Sequence, residues 1–301
     1  MRKIPQRFTR NKAVVRALQR ETIEKHFPAE RLGSLRYFGL PSSSLGDVTQ
    51  WRDLFTEFVA VERGDEGKEW ELQHDLVLEA YRAGLIEKVK LLRGDIDSVI
   101  RTGKDPLRRR LKFPFDVVSL DYSGGLFYRD SKGELGRLKA ISALFERQAP
   151  CKRGYVFLIS CNLDGIDQGE VRRTVANLKT ELARYGQEGS DVLDAYLKAE
   201  REECRLKVYV PIYVNKEAAK SHFNCETGKV IIYEGNRKVR MMAFRFRLMF
   251  DEGTESLREP RERWSQILNQ PFLEIREGEC VETTLDLPKL RPPSQRSAEE
   301  D

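Results

Sequence analysis

Four segments place small, acidic or aromatic side chains directly after an apolar run. Gly39, Pro41, Ser42, Ser43, Ser44, Gly46 and Asp47 follow the run that opens at Leu35. Glu62 closes Phe58-Val59-Ala60-Val61, Gly94-Asp95-Ile96 follows Val89-Lys90-Leu91-Leu92, and Asp121-Tyr122-Ser123-Gly124-Gly125 follows Phe115 to Leu120. A glycine and serine loop entering a helix admits a ligand to backbone N–H groups. An acid after the second run is placed to accept hydrogen bonds from ribose hydroxyls. A carboxylate beside a phenol can orient an acceptor and take its proton. Each feature also has a structural use: serine and glycine make turns, Glu62 can end a strand, and Asp95 and Asp97 can cap a short helix.

The elements that must position these residues alternate. Apolar runs at Leu35–Leu40, Phe58–Val61, Val89–Leu92, Phe115–Leu120 and Gly154–Ser160 predict five strands. The periodic stretches after them predict helices: Val48 to Phe55, Trp70 to Tyr81 with His74 packed on the same stripe, Leu135 to Leu144, and Val171 to Leu182 behind an Asp167–Glu170 capping box. Near-continuous apolar strands alternating with helices imply a doubly wound, mostly parallel sheet covered on both faces. After a further helix at 191–205, the runs Val208–Val210, Lys229–Tyr233 and Val239–Phe250 predict a change to antiparallel strands ending in a hairpin. The expected organisation is a basic N-terminal helical leader over 1–33, one α/β domain over 34–287 and a disordered tail over 288–301.

Composition bounds the chemistry. The chain has 301 residues, 53 Lys and Arg against 48 Asp and Glu, and a net charge of +5. Three histidines and five cysteines without a CxxC pair leave no ready zinc site or Ser-His-Asp hydrolase, and no metal is expected. No run is long and apolar enough for a membrane helix, so no membrane association is expected, and the unpaired thiols suit a reducing cytoplasm. Positive charge concentrates in two places. The segment to Leu40 holds ten basic residues against three acidic ones, and Arg101, Lys104, Arg108, Arg109, Arg110 and Lys112 crowd around a lone Asp105. The second run, with Arg108, Arg109 and Arg110 as phosphate contacts, makes DNA or RNA the expected partner.

With these strand ends, the sequence from Leu35 to Phe250 resembles the class I (Rossmann-like) S-adenosylmethionine-dependent methyltransferases, including their terminal hairpin. The resemblance implies that Gly39 with Ser42, Ser43, Ser44 and Gly46 wraps the methionine part of S-adenosylmethionine. It implies further that Glu62 holds the ribose, that Asp95 and Ile96 lie near adenine, and that Asp121 and Tyr122 face the reacting methyl group. The glycine loop is degenerate: where the family reads acid-x-Gly-x-Gly-x-Gly, this chain has Gly39 and Gly46 around Pro-Ser-Ser-Ser. The alternative is therefore a non-catalytic Rossmann-like accessory module that binds nucleic acid or a protein partner.

Overall fold

A computed structural model describes residues 10–40, 45–62, 69–127, 133–163, 169–173, 202–235, 238–253 and 266–284, with a few single positions between. The expected tail at 288–301 and Asp167 of the expected capping box lie outside the described residues. The expected helix from Val171 lies largely outside them.

The five expected parallel strands are β1 (Leu35–Gly39), β2 (Phe55–Glu62), β3 (Val89–Arg93), β4 (Val117–Gly125) and β5 (Tyr155–Asn162). Their order, β3-β2-β1-β4-β5, reverses between β1 and β4. Helices α1 (Arg10–His26), α2 (Gly46–Gln50), α3 (Glu69–Arg82), α4 (Ile96–Thr102), α5 (Gly136–Gln148) and α6 (Glu202–Lys220) accompany them. Beyond β5 the sheet turns antiparallel. β8 (Arg240–Phe250) pairs with β5, and β6 (Phe223–Thr227) and β7 (Ile231–Glu234) pair with successive halves of β8. A hairpin of β9 (Phe272–Arg276) and β10 (Glu279–Thr283), not foreseen from sequence, extends the sheet past β7 to ten strands.

β5 is buried at all eight positions because helices cover both of its faces. On one side Phe38, Val118, Leu120, Phe157 and Ile159 join the core formed with α4, α5 and α6. On the other, Tyr37, Phe58, Val117, Val156 and Leu158 pack with Ile23 of α1, Val48 of α2 and Leu76 of α3. α1 is thus built into the sheet layer, with Val15 and Ile23 almost fully buried, each contributing roughly 2 kcal/mol. The pairs Arg20–Glu24 and Glu21–Lys25 reinforce its outer face.

Two expectations fail. The run Val208–Val210 belongs to the middle of α6, where Leu206, Val208, Tyr209, Val210, Ile212 and Val214 are all buried. A helix buried nearly all round has no polar stripe, so its apolar run reads like a strand. In α3, His74 and Tyr81 are exposed and Val77 is 44% exposed, while Leu76 and Ala80 face the core. The i,i+4 pair Leu76 and Ala80 sets the buried face, which lies to one side of the expected stripe.

Candidate functional site

The carboxyl ends of β1 to β4 carry most of the anticipated residues, and the structure sorts them into two groups. Around β1 and β4 the polar groups are consumed by α1. Arg16 Nε meets Asp47 Oδ1 at 2.5 Å, and both side chains are buried. Lys12 Nζ meets Asp121 Oδ2 at 2.5 Å, with the side chains 21% and 14% exposed. Lys12, Arg16, Gln19 and Ile23 recur at helical spacing, so one face of α1 carries two cations over the strand ends. Trp51 Nε1 donates to Arg16 O and Tyr37 Oη to Asp47 Oδ2, which ties α1, α2 and β1 together. Burial raises the Asp47 carboxyl above its ordinary pKa even though Arg16 opposes the shift. Among the described residues a cavity of about 10 Å³ lies between Lys12, Arg16, Asp47, Asp121, Ser160 and Tyr233, the lower limit for a single water.

The glycines of this loop have partners within the protein. A Cβ on Gly39 would lie 2.1 Å from Ser119 O, and one on Gly46 would lie 2.5 Å from the Arg16 guanidinium. Both glycines allow close packing of the chain on itself. α2 has only five residues and opens from Leu45 in the left-handed region, at φ 48°. Ser42, Ser43 and Ser44 lie outside the described residues.

At β2 and β3 the arrangement differs. Glu62 ends β2 half-buried, and among the described residues no group donates to its carboxylate or pairs with it. Burial alone pushes its pKa up to about 7. Asp95 caps α4, its side chain accepting from Ser98 N at 2.9 Å, and Ile96 is buried in the core. Asp97, one turn into α4, accepts from Tyr122 Oη at 2.7 Å, and burial raises its carboxyl to about 6 against the opposing effect of that hydrogen bond. The Arg137 guanidinium stacks on the Tyr122 ring at 4.5 Å and donates to Gly125 O.

Tyr122 therefore faces α4 while Asp121 faces α1, as successive strand residues must. The two do not converge on one acceptor. Asp121 shares its side of the sheet with Lys12, Ser119, Ser160 and Tyr233, and Tyr233 also lines an open groove of about 740 Å³ with Arg10, Glu234, Lys238, Arg240 and Arg276. The residues that sequence reasoning missed are Lys12, Arg16 and Arg137, and Asp97, expected as a cap, instead accepts from Tyr122. The signal for the first two was two cations four residues apart on the face that also carries Val15 and Ile23.

The basic run forms an ordered turn beside β3. Lys104 and Arg110 bridge across it, and Arg109 donates to Asp105 Oδ2 from Nε at 2.7 Å and to Oδ1 from its backbone at 2.8 Å. Arg109, though exposed, is thus an anchor of the turn, whereas the exposed Arg108 and Arg110 pair with no acidic side chain among the described residues.

Five parallel strands reversing between β1 and β4, followed by an antiparallel strand against β5, form the arrangement that the resemblance implies. The fold is class I methyltransferase-like. No protein-family model matches the sequence, and no curated protein does. Among solved structures the chain is similar to a putative RNA methyltransferase from Pyrococcus horikoshii, at 12% identity over 79% of this chain and 84% of that one, with a TM-score of 0.42. It is also similar to the O-methyltransferase TomG from Streptomyces achromogenes, solved with SAM (13% identity, 80% and 79% covered, TM-score 0.41), and to an rRNA methylase from Streptococcus thermophilus (12%, 77% and 96%, 0.41). At such TM-scores the strand order, and not the likeness, carries the methyltransferase-like fold. No helix among the described residues is long and apolar enough to cross a membrane.

Proposed function

We propose that the protein is an S-adenosylmethionine-dependent methyltransferase whose nucleoside contact is Glu62. The observation that carries this reading is a half-buried carboxyl at the end of β2, next to the switch point of the sheet, without a partner among the described residues. A desolvated acceptor of this kind is costly unless something donates to it. The two vicinal hydroxyls of a ribose are suitable donors, and the adjoining Asp95 and Ile96 at the start of α4 would border the base. S-adenosylmethionine bound there supplies an activated methyl group, so the protein's task is alignment. The five cysteines are free thiols, which suits a reducing cytoplasm.

A second reading, a Rossmann-like accessory module, is favoured by the buried Arg16–Asp47 pair, whose guanidinium packs against Gly46 at the end of the degenerate loop. Calorimetry with S-adenosylhomocysteine separates the two. Binding by the wild type that weakens at least tenfold in Glu62→Ala supports the methyltransferase. Absence of heat at high protein concentration removes the cofactor and leaves the accessory module.

A further inference from the structure

We infer that the turn from Lys104 to Lys112 is a preorganised docking site for the phosphate backbone of a nucleic acid strand. This inference goes beyond the cofactor reading and does not depend on it. Several cations at the surface of the described residues face a carboxylate, among them Lys25, Arg82, Lys90, Arg153 and Arg276. On the turn, Lys104, Arg108, Arg110 and Lys112 are exposed, and no acidic side chain among the described residues pairs with them. The acid that could neutralise them, Asp105, is turned inward. Its side chain is fully buried, and it is committed to the Arg109 side chain and backbone and to Arg93 N.

That inward acid makes the platform rigid. Asp105 N donates to Arg109 O, Arg108 N to Asp105 O and Leu111 N to Gly103 O, while Arg36 grips Lys112 O. Arg108 is held in the left-handed region at φ 62°, a conformation that an unconstrained arginine rarely keeps. With the backbone of the turn fixed by these hydrogen bonds, binding has to order only the side chains of the four cations, which lowers the cost of association.

The arrangement of the cations selects the partner. They stand at separate positions of the turn, Lys104 and Arg110 opposite each other across it, Arg108 between them in sequence and Lys112 beyond, which suits a repeating anion better than a single phosphate. Leu107, 56% exposed at the tip between Pro106 and Arg108, adds an apolar surface on which an unstacked base can lie. One exposed leucine is too little apolar area to anchor the turn in a bilayer. The turn also packs its Pro106 against Gly94, beside Asp95, so a strand held here passes the ends of β2 and β3.

The test is fluorescence anisotropy of a labelled single-stranded RNA, with the full-length protein and no cofactor present, from low to physiological salt. Binding is expected to weaken with salt. The variant Lys104→Gln/Arg108→Asn/Arg110→Gln, in which asparagine tolerates the left-handed backbone, should flatten the slope of log affinity against log salt by roughly two, at about 0.7 per phosphate. Its melting temperature should stay near that of wild type, and Lys104→Arg/Arg110→Lys should keep the wild-type slope. An unchanged slope in the triple variant, or no binding by the wild type at low salt, would overturn the inference. So would binding to vesicles rich in anionic lipid without binding to RNA. Loss of S-adenosylhomocysteine binding alone would leave it standing.

Discussion

The two halves of the switch-point edge solve the same problem in opposite ways. At β1 and β4, Asp47 and Asp121 are neutralised from within by Arg16 and Lys12, and the cavity that the described residues leave beside these pairs has room for one water at most. At β2, a half-buried carboxyl has no partner among the described residues. Burying a charge without a partner costs several kcal/mol, which folded chains ordinarily avoid by pairing it or by letting it take up a proton. The first end has taken the pairing solution and reads as architecture. The second has taken the protonation solution at Glu62, and an unfavourable group at a sheet's ligand edge is where a binding function is expected.

The largest expected effect lies at the closed end. Arg16→Met leaves Asp47 buried without its cation and should lower stability by about 3–5 kcal/mol, whereas Arg16→Met with Asp47→Leu should recover most of that loss. Urea unfolding of both variants measures this. A single-variant cost under about 1 kcal/mol would mean that α1 does not seal this end.

At the open end the sign reverses. Glu62 has a folded-state pKa of about 7 against an ordinary 4.5, so the folded protein holds this proton more tightly than the unfolded chain does. The stability this confers is complete below pH 4.5 and is lost as pH rises through 7. Glu62→Gln, permanently neutral, should therefore be more stable than wild type at pH 8 by at most about 3 kcal/mol, with the difference vanishing near pH 4. Thermal melts across that range would show it, and a variant less stable at pH 8 would reveal a partner for Glu62 within the protein.

Two smaller effects sharpen the contrast. Tyr122→Phe removes the only hydrogen bond made to Asp97 by a side chain among the described residues and should cost about 1–3 kcal/mol. In carboxyl NMR it should also move Asp97 further above its value of about 6. Lys12→Met, at the partly exposed pair, should cost about 1 kcal/mol or less.

Much of this architecture was legible in the sequence because the parallel strands are buried on both faces and so read as unbroken apolar runs. The same feature hid the site. Ser119 and Ser160 sit inside those runs and face α1, and nothing in a near-continuous apolar pattern tells which face a serine takes. Asp95 as a cap was readable from Asp95 to Ser98, a local motif. The partners of Asp47 and Asp121 come from α1, 31 and 109 positions away in sequence, and a pairing across such a distance leaves no local signature. The basic turn was visible as composition. That Arg109 belongs to Asp105 while its neighbours do not depended on the backbone conformation at Arg108.

The most direct test of the open end is the pH dependence of S-adenosylhomocysteine affinity by calorimetry. Ribose hydroxyls donate to the ionised carboxylate, and a group titrating at about 7 is mostly protonated at pH 6 and mostly ionised at pH 8. Affinity should therefore rise roughly tenfold between those two values in the wild type and hardly change in Glu62→Gln. Equal affinity at both pH values in the wild type, or the same rise in Glu62→Gln, would contradict the account of Glu62 as the nucleoside contact.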